Sequence, residues 1–171
     1  IIPAALALLG FSTASNAEIV LKVHHPLPST STAQVKLLEP WCAKINKESK
    51  GQLKCQIYPA MQLGGTPAQL VDQVKDGVAD IIWTVPGYQA GRFVVSEAFE
   101  LPFMTESAEK ASRVLWNYAT KYAQAEYKGV KPLAYHTHEG SEIHMTKKPI
   151  KSLADFKGLK IRAATRMATK L

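Results

Sequence analysis

The residues of this 171-residue chain whose types and spacing are suited to chemistry begin with its histidines. His136-x-His138-Glu139 is followed by His144, and His24-His25 closes a β-branched run. Residues two apart on a strand share a face, so His136 and His138 can bind zinc together, with Glu139 or His144 completing a site that activates water. That constellation would make an extracytoplasmic zinc-dependent hydrolase. Two features argue against it. The His-x-His pair follows three strands and their helices rather than opening the fold, and solvated surface imidazoles are the plainer reading of His136 and His144. No Gly-x-Ser-x-Gly elbow or other nucleophile motif is present, and Gly64-Gly65 alone is no phosphate-binding fingerprint.

A second group is Trp83, Tyr88 and Arg92, an indole, a phenol and a guanidinium at the end of an apolar run and on the Gly- and Pro-containing segment after it. Cys42 and Cys55 form a third. Cys42 shares a helical face with Leu38 and Ile45, and Cys55 alternates with Leu53 and Ile57, so both can point into one core. They either pair as a disulfide or sit as two small buried hydrophobes. Their role is structural in both cases, since no Cys-x-x-Cys spacing suggests redox chemistry or zinc.

The elements that must position these groups follow from periodicity. The β-branched run 19–23 predicts a first strand, ended by the turn-rich segment 24–32. Apolar residues at helical spacing predict an amphipathic helix over 33–48, interrupted by Pro40 near its start. Leu53, Cys55 and Ile57 alternate into a second strand, stopped by Pro59. Thr66 can cap a helix with Pro67 in its first position, ending at Gly77. The nearly continuous apolar run 80–85 predicts a third strand covered on both faces. Strand, helix, strand, helix, strand implies an α/β fold with a parallel sheet and right-handed crossovers. The loop 86–93 leaves the carboxyl end of the third strand, where open α/β sheets place their ligands. Beyond it the pattern predicts a helix started by Ser107 and running to about 127, strands over 130–136, 143–146 and 159–163, a short helix over 153–156, and a last helix from 164.

Composition narrows the function class. Lys and Arg number 21 against 14 Asp and Glu, a formal charge of +7, yet the longest basic run is Lys147-Lys148 and elsewhere Lys alternates with acids. Without a basic patch or a reader motif, nucleic acid is not an expected partner. The uncharged segment 1–17 carries an apolar run too short to span a membrane and ends in Ser15-Asn16-Ala17, a small-x-small form. It predicts a signal peptide cut after Ala17, with its start incomplete, and the last residues likewise suggest truncation. Export to an oxidising compartment would permit the disulfide.

Four segments in order carry a family resemblance: Tyr58-Pro59-Ala60-Met61-Gln62-Leu63-Gly64-Gly65, Val74-Lys75-Asp76-Gly77-Val78-Ala79-Asp80, Glu100-Leu101-Pro102-Phe103, and the stretch from Lys148-Pro149-Ile150 through Lys160-Ile161-Arg162. Together they resemble the solute-binding subunits of the tripartite ATP-independent periplasmic (TRAP) transporters, the dicarboxylate-binding-protein-like family. The resemblance implies a periplasmic, type II-like binding protein of two lobes with a hinge that closes on a small organic carboxylate. It also implies a TRAP permease as the membrane partner, and no cofactor and no catalysis. On this reading 18–136 is the first α/β lobe, and 137–171 is the hinge crossing and the beginning of a truncated second lobe. The resemblance assigns the carboxylate-pairing role to Arg162, and a guanidinium fits that role because it meets a carboxylate with two parallel hydrogen bonds and stays charged when desolvated. Arg166, four residues on, either joins the same cleft or faces water. Tyr88 and Trp83 would offer an aromatic wall suited to a flat ligand, with Arg92 beside them, and core packing is the alternative for Trp83. His24 and His138 would line the cleft from strand ends, with His138 preferred over His25.

Overall fold

The computed structural model describes residues 17–101, 104, 106–146 and 148–170. The expected signal peptide, apart from Ala17, and Pro102-Phe103 of the third resemblance segment lie outside the described residues. Three strands form one parallel sheet. β1 (Ile19–His24) lies between β2 (Leu53–Tyr58) and β3 (Ile81–Ile82), giving the order β2-β1-β3. Val23 is opposite Ile57 on one side and Ile81 on the other.

The third strand is shorter than the predicted run over 80–85, although ladder-like bonds extend past its ends. Asp80 N–H donates to the Lys22 carbonyl at 3.0 Å and Trp83 N–H to the His24 carbonyl at 3.1 Å. β1 ends at His24, so residues past Trp83 have no neighbouring strand to pair with, and the chain turns at Pro86 instead.

The helix expected over 33–48 begins as a π-helical turn, Gln34–Leu38, and continues as α1 (Glu39–Glu48). Pro40 explains the change. It has no N–H to give to the preceding turn, and the bond that closes that turn runs from Glu39 N–H five residues back to the Gln34 carbonyl. Leu38 of the π-helical turn and Cys42 of α1 pack on Val23, with Trp41, Cys55, Ile57 and Ile81 around them. Cys42 and Cys55 are joined as a disulfide, with Cα atoms 5.6 Å apart across a separation of 13 residues.

Thr66 and Pro67 open a short 3-10 turn, Pro67–Gln69, that runs into α2 (Leu70–Lys75). The Gln69 side chain accepts from Thr66 N–H at 2.8 Å, closing the first turn. Leu70 and Val71 are buried, and Gly77 at φ +74° reverses the chain beyond the helix, a conformation that a side chain would strain. α3 (Ala108–Tyr122) starts at Ser107, whose hydroxyl accepts from Lys110 N–H. Its buried stripe of Ala111, Leu115 and Ala119 repeats every four residues. Leu115, Ala119 and Ala123 make a second cluster with Val95, Phe99, Tyr127 and Tyr135. The helix expected to reach 127 breaks at Ala123 and finishes as a 3-10 turn, Gln124–Tyr127.

The strands predicted over 130–136, 143–146 and 159–163 are not strands. These segments are irregular and, among the described residues, pair with no neighbour. Alternating apolar residues fit a pleated surface, but a strand also needs a partner ladder for its N–H and C=O groups. Between them Ser152 opens the short helix expected at 153–156, seen as a 3-10 turn, Leu153–Phe156. The Asp155 carboxylate accepts from Lys151 N–H, Ser152 N–H and the Ser152 hydroxyl, and these bonds hold its pKa below the usual carboxylate value. α4 (Arg166–Thr169) is capped by Thr165 and starts two residues later than the expected 164.

Candidate functional site

With β1 central in a β2-β1-β3 sheet, the chain reverses its direction of winding between β1 and β3, and the carboxyl ends of those strands flank the switch point where such sheets hold ligands. The chain leaves β1 at His24-His25 and β3 at Trp83. Both histidines are fully buried. His24 Nδ1 lies 2.9 Å from Gln73 Oε1 and its Nε2 accepts from Leu63 N–H at 3.4 Å, so the ring ties the end of β1 to α2 and to the turn after β2. His25 Nδ1 accepts from Leu27 N–H at 3.2 Å, which leaves its Nε2–H to donate to Gln34 Oε1 at 3.1 Å. Burial lowers the His25 pKa, against the pull of the Gln34 bond. The structure therefore uses His24 and His25 as interior fasteners, not as open ligand donors.

The loop after β3 begins with a 3-10 turn, Pro86–Tyr88, and continues to a second, Ser96–Glu100. Three glutamates fix it. Glu126 accepts at Oε1 from Val95 N–H at 2.6 Å, and at Oε2 from Ser96 N–H at 3.1 Å and the Ser96 hydroxyl at 2.9 Å. Glu100 accepts from Gly87 N–H at 3.1 Å and lies so close that a Cβ on Gly87 would fall 2.3 Å from its oxygen, so any larger residue there would have to push the Glu100 carboxylate aside. Glu97, 6% exposed, accepts from Gly91 N–H at 3.3 Å and pairs with Arg166 at 3.4 Å. Tyr127 donates to or accepts from the Ser96 hydroxyl at 2.8 Å, and burial raises the pKa of both Tyr127 and Tyr135.

A cavity of about 450 Å³ opens beside this loop, lined by Pro67, Gly87 and Tyr88 on one side and by Arg162, Thr165 and Arg166 on the other. It brings together three of the residues singled out from the sequence: Tyr88, Arg162 and Arg166. Arg162 is exposed and, among the described residues, has no carboxylate within ion-pair distance. Its guanidinium is available to an incoming anion, whereas that of Arg166 is held by Glu97.

Four sequence candidates lie elsewhere. Arg92 pairs with Asp72 of α2 at 2.7 Å, and His24 is interior. Trp83 donates its indole N–H to His136 Nε2 at 2.7 Å with the rings stacked 5.7 Å apart. His138 donates from Nδ1 to the Glu139 carbonyl. The indole bond occupies one of the two His136 nitrogens that could ligate a metal, and among the described residues no three His, Cys, Asp or Glu side chains converge as a metal set would. The zinc constellation thus loses its geometric basis. A larger concavity of about 850 Å³, lined by residues between Glu142 and Phe156, includes none of the seven ligand-binding candidates in its lining.

Sequence reasoning did not find Glu97, Glu100 or Glu126. They sit on or against short 3-10 turns with no periodic signal. The one trace is that Glu97 and Glu100 lie close in sequence to the loop they brace, whereas Glu126 reaches it from about 30 residues on.

Comparison with known proteins gives a consistent picture. The family described as bacterial extracellular solute-binding protein, family 7, matches residues 24–170. The 2,3-diketo-L-gulonate-binding periplasmic protein YiaO of Escherichia coli is 28% identical over 91% of this chain and 47% of its own length. A marine metagenome TRAP solute-binding protein specific for aromatic acid ligands, solved with 3-hydroxybenzoate, is 51% identical with a TM-score of 0.85, over 90% of this chain and 48% of that one. A TRAP solute-binding protein from Rhodoferax ferrireducens, solved with copurified benzoate, is 49% identical with a TM-score of 0.85, over 89% of this chain and 47% of that one. The chain thus spans about half the length of the relatives it matches.

Proposed function

The chain belongs to the bacterial extracellular solute-binding protein family 7, and from that membership we propose that it provides one lobe and the hinge side of a periplasmic receptor for small aromatic carboxylates. The receptor binds its ligand without changing it and delivers it to a TRAP-type membrane permease, whose ion gradient drives uptake. Arg162 takes the ligand carboxylate through a two-pronged hydrogen bond, and Tyr88 lies against the flat ring. The reading rests on one observation: the unpaired Arg162 and the aromatic Tyr88 line a single cavity beside the carboxyl end of the sheet. The aromatic acids held by the two solved relatives support the ligand class. The disulfide between Cys42 and Cys55 suits an oxidising compartment.

Closing a second lobe over the cavity would expel water and strengthen the Arg162 pairing, because the attraction between opposite charges grows as the local dielectric falls. Thermal unfolding of the complete protein tests the reading. Benzoate and 3-hydroxybenzoate are expected to raise the melting temperature in proportion to the logarithm of their concentration, and the uncharged benzamide to leave it unchanged. Equal shifts with benzamide, or none with any aromatic acid, would remove the carboxylate from the account.

A further inference from the structure

We propose that Glu97 sets the charge selectivity of the cleft, admitting aromatic monocarboxylates and turning away aromatic dicarboxylates. This rests on the carboxylate-receptor reading above and asks which carboxylates the same cavity takes. Two guanidiniums, Arg162 and Arg166, line the cavity. Left to themselves they would suit a ligand with two acid groups, one for each fork.

Glu97 removes one of them from the count. Its Oε2 lies 3.4 Å from Arg166 Nη2, and the carboxylate side is 6% exposed where the Arg166 side chain is 48% exposed. The carboxylate is fixed from behind. Its Oε1 accepts from Gly91 N–H, and the 3-10 turn that bears it, Ser96–Glu100, is pinned at its start by Glu126. Among the described residues Arg166 is its ion-pair partner and no other cation reaches it. A ligand group that drew Arg166 away would leave the buried Glu97 carboxylate without its counter-charge, which is unfavourable. The Arg92–Asp72 pair is self-compensated, and neither member lines the cavity. Arg162 is left as the lining cation with no ion-pair partner among the described residues, so a second acid group on the ring would meet a guanidinium already neutralised by Glu97.

The test compares benzoate with isophthalate, the same ring carrying a second carboxylate, and with 3-hydroxybenzoate, which carries an uncharged group at that ring position. Affinities are measured by calorimetry on the complete protein. In Glu97→Gln the ratio of isophthalate Kd to benzoate Kd is expected to fall at least tenfold from its wild-type value, while the 3-hydroxybenzoate ratio moves less than threefold. An unmoved isophthalate ratio overturns the proposal. If Glu97→Gln does not fold, as judged by circular dichroism, Arg166→Gln and the double variant Glu97→Gln/Arg166→Gln decide the matter. The single variant leaves Glu97 uncompensated and should weaken benzoate about tenfold. The double variant removes both charges and should return to within threefold of wild type. A double variant no better than Arg166→Gln overturns the proposal. Failure of the wild-type protein to bind any of the three acids would instead overturn the receptor reading beneath it.

Discussion

The sheet half of the chain and the segment from 130 to 170 have similar apolar patterns and opposite fates. In the first, Val23 and Leu70 are fully buried and every strand has a neighbour. In the second, Leu133 is 58% exposed, Leu153 89% and Ile161 46%, and among the described residues no backbone ladder forms. Strand propensity is the same currency in both, and the difference is supply. β1 is met by partners on both sides, whereas the later segments find none within the described residues. Solved relatives about twice as long suggest where partners come from, and we propose that further strands of the receptor complete them.

The sharpest way to break this comparison is a pair of truncations. Leu70→Ala should cost about 2–5 kcal/mol in urea unfolding, the range for deleting a fully buried leucine side chain. Leu153→Ala in the same chain should cost less than about 0.5 kcal/mol, as expected of an exposed position. Equal losses would mean that the two halves are packed alike. Removing the disulfide by Cys42→Ser/Cys55→Ser should cost about 3 kcal/mol, the scale for closing a loop of similar length, and reductant should weaken the wild type but not this variant. Glu126→Gln, which turns an acceptor of three bonds into an amide facing N–H donors, should cost about 1–3 kcal/mol and leave the sheet intact by circular dichroism.

The mildest expectation concerns pH. Burial depresses the His25 pKa below 6.5, so the unfolded chain binds a proton there more readily than the folded one. Stability contributed by the neutral ring is complete above pH 6.5 and is lost as pH falls from 6.5 through the folded value. His25→Gln should flatten that part of the unfolding profile. An unchanged slope below pH 6.5 would assign the acid sensitivity to other groups.

How much of this was legible in the sequence follows the same division. The three parallel strands, α1 and α3 could be read because each has a periodic apolar face and a local stop signal, such as Pro59 after β2 or Ser107 before α3. The π-helical opening of α1 was half legible, since Pro40 flagged a disturbance without its form. The unpaired segments after 130 were misread because periodicity records a preference for a pleated surface and says nothing of a neighbour. For the proposed site, Tyr88 was singled out from its place after β3, whereas Arg162 was singled out through the family resemblance, being otherwise one cation among 21 basic residues. His24 was read as a cleft residue, and a strand-end histidine looks the same in sequence whether its ring faces a cleft or, as here, Gln73 and Leu63. Glu97 was out of reach, because its partners lie six residues away in a turn and 69 residues away in another element.

The central claim is that Arg162 is the open cation that grips the ligand. Isothermal titration of benzoate into the complete protein and its Arg162→Ala variant tests it directly. The account predicts a loss of at least about 30-fold in affinity, the low end for truncating one partner of a desolvated charge pair, with folding intact. Benzoate binding to Arg162→Ala with wild-type affinity would contradict it.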